Sequence, residues 1–134
     1  MKNRDTRPPQ PKCWEYTLAE GVRVYAGKTD ADNDLLSLRF ARPNDYWFHV
    51  KGMPGSHVVL QAEGDEPDRG ILKKAAAVAA YHSKARGGGS VAVNVTRAKY
   101  VTKPKGAKAG TVQIKQERTL KVRPEVPEAE NAKD

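Results

Sequence analysis

The stretch "DRGILKKAAAVAAYHSKAR", Asp68 to Arg86, constrains the fold more than any other part of the chain. Its apolar positions fall at helical spacing. Ile71, Leu72, Ala75, Ala76, Val78 and Ala79 share one face, while Lys73, Lys74, Ala77, Tyr81 and Lys84 share the other. The inner face is mostly alanine, so its partner must approach closely, and a sheet offers such a surface. Asp68 behind Pro67 is an N-cap signal and the Gly87–Gly89 triplet is a stop. One long helix is predicted, from the Asp68 cap to about Arg86.

Around this helix the chain reads mainly as strands. In "WEYTLAEGVRVYAGKT", Trp14, Tyr16 and Leu18 alternate with polar partners, and so do Val22, Val24 and Ala26. "NDLLSLRFA" predicts a short helix capped by Asn33. Strands are predicted over Tyr46 to Lys51, over His57 to Gln61 and in "SVAVNVT". "AKYVTKPKGAKAG" reads as a basic loop, and "TVQIKQERTLKV" as a closing hairpin turning near Gln116 and Glu117. Hairpins with two inserted helices predict an α+β fold with a twisted, mainly antiparallel sheet. The 134 residues divide into a disordered basic arm over 1–12, a domain over 13–124 and an acidic mobile tail over 125–134.

The chain has no apolar run near the ~20 residues that cross a bilayer, and its N-terminus lacks the apolar core of a secretory signal. Its single cysteine, Cys13, has no internal disulfide partner. A cytoplasmic monomer away from membranes is expected. The formal net charge is +8, and it is segregated. From Lys84 to Arg123 eleven basic residues face only Glu117, so that segment carries +10 and the remainder about −2. Such a field attracts polyanions and favours a nucleic-acid surface.

"NDYWFHVKGMPGSHVVL" holds the densest chemistry. In a strand, Tyr46, Phe48 and Val50 make a core face, and Trp47, His49 and Lys51 make a face half aromatic and half cationic. That second face suits a base or ribose on the ring with a phosphate beside the ammonium. The competing reading packs Trp47 beneath the long helix, with His49 as a hydrogen-bonded core residue. Pro54 and Gly55 fit a type II turn, whose amides, with the Ser56 hydroxyl and Lys51, suit a phosphate. Which face His57 takes depends on the turn register. Lys103, Lys105 and Lys108 lie on a Pro- and Gly-punctuated loop suited to backbone phosphates.

Enzyme signals are poor. GxSxG, Walker A, HExxH and CxxC motifs are absent. His49, His57 and His82 with Cys13 match no standard metal spacing. An RNA- or nucleotide-directed enzyme using His49 or His57 is one alternative, and a protein-interaction module is another.

Taken in order, "GVRVYAGKTDADND", "NDYWFHVKGMPGSHVVL", "KKAAAVAAYHSKAR" and "AKYVTKPKGAKAGTVQI" resemble the NFACT-R domain. That domain is the RNA-binding module of the NFACT ribosome quality-control factors. The resemblance covers about Gly21 to Pro124. It implies a non-catalytic, cofactor-free module whose partner is tRNA or rRNA, with the large ribosomal subunit beyond it. It implies RNA contact at Gly27, Lys28, Asn33, Trp47, His49, Lys51 and Gly55. It implies the same for Ser56, His57, Ser83, Lys84, Lys103 and Lys105. The factors' other domains have no counterpart in the sequence, so a stand-alone adaptor is expected.

Overall fold

The computed structural model describes residues 10–63 and 66–127. Most of the predicted arm and tail, 1–9 and 128–134, lies outside the described residues. Six strands form one sheet: β1 (Cys13–Ala19), β2 (Val22–Gly27), β3 (Tyr46–Val50), β4 (Val58–Ala62), β5 (Val91–Arg97) and, last in the chain, β8 (Arg118–Val122). Their spatial order is β1-β2-β4-β3-β5-β8, and every neighbouring pair is antiparallel. With helices α1 (Asp30–Leu35) and α2 (Arg69–Tyr81), the fold is α+β, as the sequence predicts.

The pleat sorts side chains to two faces. Val24, Phe48, Val58, Val93 and Leu120 meet Ala75, Ala76 and Ala79 of α2 in the main core. The alanines let the helix lie close, and each large side chain fully buried there contributes ~1.5–3 kcal/mol. The opposite face is roofed over β2, β3 and β4 by α1, by the wide π-helical turn Leu36–Phe40 and by a ribbon of β6 (Val101–Thr102) and β7 (Gln113–Ile114).

Several elements differ from expectation. Thr29, not Asn33, caps α1: its Oγ1 accepts from the Asp32 amide at 3.1 Å. The closing hairpin does not form. Gln116 turns the chain, with φ 57°, but the strands beside it belong to different sheets. Val112 and Ile114 pack into the roof, whereas Leu120 and Val122 face α2. Helix α2 stops at Tyr81, short of Arg86, because the Ser83 hydroxyl takes the Ala80 carbonyl at 2.7 Å and the Ala85 amide at 3.0 Å. Ala77, assigned to the outer face, is buried. Both flanks reach further into the fold than expected. The Lys12 amide donates to Asp32 at 3.0 Å, and the Glu125 amide to the Ala77 carbonyl at 3.2 Å, with Val126 against the core.

Candidate nucleic-acid interface

An open cleft of ≈ 460 Å³ forms where several chain segments meet. The end of β2 brings Gly27 and Lys28, α1 brings Asn33, and the β3–β4 turn brings Gly55 and Ser56. The segment after α2 supplies the far wall with Ser83 and Lys84. Gly55 and Ser83 pair as an isolated antiparallel bridge, which ties the turn to that wall. The Ser56 amide donates to the His82 carbonyl at 2.8 Å and the Lys84 amide to Pro54 at 3.2 Å. Seven positions far apart in the chain, all marked by the sequence resemblance, are thereby brought together.

Some of them build the site instead of facing it. The Ser56 hydroxyl donates to the Gly27 carbonyl at 2.6 Å, and the His57 amide to Asn33 Oδ1 at 3.1 Å. The predicted phosphate cradle at the turn thereby loses Ser56, whose hydroxyl and amide are both used within the protein. The positive dihedral also sits at Gly52 (φ 76°), not at Gly55. Gly55 is required by close approach: a Cβ there would stand 2.7 Å from Ser83 Cβ.

The predicted stacking face of β3 is corrected as well. Trp47 is 2% exposed and His57 3%, beneath α1 and the π-helical turn. Neither offers an open ring to a base, and Trp47 lies on the face opposite α2. The indole N–H donates to Ser37 Oγ at 2.8 Å, and Ser37 Oγ meets His57 Nδ1 at 2.8 Å. His57 Nε2 reaches the Gly110 carbonyl at 3.1 Å. A carbonyl only accepts, so Nε2 carries the proton and Nδ1 accepts from Ser37. Burial drives the His57 pKa down to about 4, with neighbouring His49 acting the same way. His49 does join His57, ring centroids 5.5 Å apart, and is half-buried, its own pKa lowered by burial. Lys51 is exposed just beyond β3.

Lys103 is not a free phosphate ligand. Its Nζ is 3.0 Å from Asp34 Oδ2 and donates to the Thr111 carbonyl at 3.2 Å and to that of Lys108. It fastens the basic loop to α1, as does the Gly110 amide on Asp34 Oδ1 at 3.0 Å. Lys105 and Lys108 are exposed on this loop. The loop abuts the cleft, since Gly110 lies against Asp30 on the cleft lip. The remaining basic residues do not all converge there. Arg97 pairs with Glu66 and stacks on Tyr46, its guanidinium 4.1 Å from the ring centroid.

Five cleft residues were not among the sequence-predicted site residues: Trp14, Thr29, Asp30, His82 and Arg86. Trp14 was read as one member of an alternating strand and nothing more. Its half-buried place at the start of an edge strand follows from the sheet order, which the sequence pattern does not display.

Known proteins share this framework. Rqc2 homolog RqcH of Bacillus subtilis is 39% identical over 119 residues, 89% of this chain and 20% of that protein. Rqc2 homolog RqcH of Streptococcus suis is 36% identical, over 92% of this chain and 22% of that protein. The chain thus spans about a fifth of the length of the curated relatives it matches. A solved structure, the C-terminal part of the fibronectin/fibrinogen-binding protein from Streptococcus suis, superposes with a TM-score of 0.78 at 32% identity. That superposition covers 98% of this chain and 51% of the other. Residues 12–116 match the family model of the NFACT protein RNA binding domain, and the chain belongs to that family.

Proposed function

We propose that the protein is a non-catalytic RNA-binding module that takes tRNA or ribosomal RNA in ribosome-associated quality control. One observation carries this reading. Lys28, Lys84 and Arg86 rim a single cleft, and the loop bearing Lys105 and Lys108 is fastened beside it. Clustered cations of this kind release counterions from a phosphate chain on binding. Family membership supports the same reading. The relatives' name, Rqc2 homolog RqcH, supports the setting.

Catalysis by His57 is disfavoured by its surroundings. Both ring nitrogens are engaged within the protein, so no lone pair or proton faces a substrate. The Streptococcus suis protein is named a fibronectin/fibrinogen-binding protein, which keeps a protein-binding reading in the test.

The test is tRNA affinity measured by anisotropy between 50 and 200 mM salt, a range over which phosphate contacts weaken roughly in proportion to their number. Lys28→Ala/Lys84→Ala lowers affinity and reduces the log–log salt slope by roughly 1.4 to 1.8. An unchanged slope removes the cleft from the interface. Fibronectin capture that survives RNase and ignores salt favours the protein-binding reading instead.

A further inference from the structure

The cleft has an aromatic wall. The Trp14 indole stacks on the His82 imidazole, ring centroids 4.2 Å apart and planes 14° from parallel. The Tyr16 hydroxyl meets His82 Nε2 at 2.7 Å and fixes the imidazole in place. Lys28 Nζ stands 5.4 Å from the indole centroid. Arg86 is held at the rim, its Nε donating to the Tyr81 carbonyl at 2.7 Å and its guanidinium lying 3.9 Å from the Tyr81 ring centroid. The half-buried indole is thus backed by a fixed partner ring, and cations stand on the same cleft.

Building on the RNA-binding reading above, we propose that this cleft takes one unpaired nucleotide of a single-stranded or looped RNA, its base stacked on Trp14 and its phosphate held by Lys28 and Lys84. A volume of ≈ 460 Å³ falls in the range of small-ligand sites, roughly 300–1,000 Å³, and suits one nucleotide better than a duplex. A base inside a duplex already has both faces covered and must be unstacked to enter, whereas a loop base enters without that cost. Lys28, on a flexible exposed stem, leaves the indole for the phosphate as the base arrives. Burial, with Arg86 beside it, lowers the His82 pKa to about 4, so the ring behind Trp14 is neutral near pH 7 and adds no charge of its own.

The chain has two tryptophans, and Trp47 is enclosed, so quenching of indole emission by a base reports on Trp14. The experiment titrates the protein with a single-stranded adenosine octamer and with a blunt RNA duplex, following indole emission and RNA anisotropy together. The octamer quenches emission and the duplex does not. Trp14→Leu weakens octamer binding roughly tenfold or more and abolishes the quench, while duplex affinity holds. Trp14→Phe keeps most of the octamer affinity. Octamer binding that is unchanged in Trp14→Leu, or that never quenches the wild type, overturns the proposal while leaving RNA binding intact. If Trp14→Leu fails to fold, equal quenching by octamer and duplex overturns it. Absence of binding by octamer, duplex and tRNA alike overturns the RNA-binding reading and this one with it.

Discussion

Gly55 and Ser83 face each other as a one-residue antiparallel bridge, so close that the glycine position has no room for a side chain. This contact joins the β3–β4 turn to the segment that ends α2, and so closes the cleft. An alanine Cβ would meet Ser83 Cβ at 2.7 Å and Ser83 Cα at 3.1 Å. Backbone must then shift, at ~1–3 kcal/mol. Gly55→Ala is expected to lower the denaturation midpoint and weaken tRNA binding together. Binding that persists at wild-type strength would mean the bridge does not shape the interface.

Trp47 predicts a separation of stability from binding. Trp47→Ala empties a site 2% exposed and costs ~3–5 kcal/mol. Trp47→Phe keeps most of the bulk and loses the N–H bond to Ser37, costing ~1–2 kcal/mol. Folded Trp47→Phe should bind tRNA within about twofold of wild type, since the ring never reaches solvent. Denaturant melts paired with anisotropy check both halves. A large affinity loss in a well-folded Phe variant contradicts the buried role.

The basic loop separates its lysines by role. Lys103 is held by Asp34, whereas Lys105 and Lys108 are exposed. Lys105→Ala and Lys108→Ala should each lower the salt slope of RNA binding by roughly 0.7–0.9. Lys103→Ala should leave the slope nearly unchanged while speeding amide exchange at Gly110 and Thr111, where the loop is fastened. A slope change for Lys103 as large as for its neighbours would restore it to the phosphate set.

Acid should destabilise the fold in a defined window. An unfolded imidazole takes its proton near pH 6.5, while folded His57 does so only near about 4. Between these values the unfolded chain binds more protons. Stability is therefore intact above pH 6.5 and falls as pH drops towards 4, by up to ~1.4 kcal/mol per pH unit for His57. His82 acts in the same direction, less strongly because it is more exposed. Melts at pH 7, 5.5 and 4.5 should show a shallower fall in His57→Gln than in wild type. Equal slopes would show that His57 is not buried neutral.

The architecture was largely legible because hydrophobic periodicity is local: the alanine face of α2 and the alternation in β3 and β5 each declare their core side. Tertiary choices were not legible. Alternation placed Trp47 opposite Phe48 correctly, yet gave no sign that α1 and the β6–β7 ribbon roof that second face. The closing hairpin failed for the same reason, since the period-2 pattern in Gln113–Ile114 and Arg118–Val122 does not say which sheet each strand joins. The Thr29 cap was available in the sequence, because Thr29 and Asp32 have the spacing of a capping box, but Asn33 drew the assignment. In the site, motif positions around Lys28 and Lys84 pointed to the cleft. Its aromatic wall did not announce itself, because the Trp14–His82 stack joins residues far apart in the chain.

The most direct measurement of where RNA sits is photocrosslinking of 4-thiouridine-substituted tRNA to the protein, with the crosslinked peptides identified by mass spectrometry. The account predicts crosslinks at Trp14, at Lys28 and across His82–Arg86, with a second set on the loop around Lys105 and Lys108. Crosslinks confined to β8 and the outer face of α2, with the cleft peptides unmodified, would contradict it.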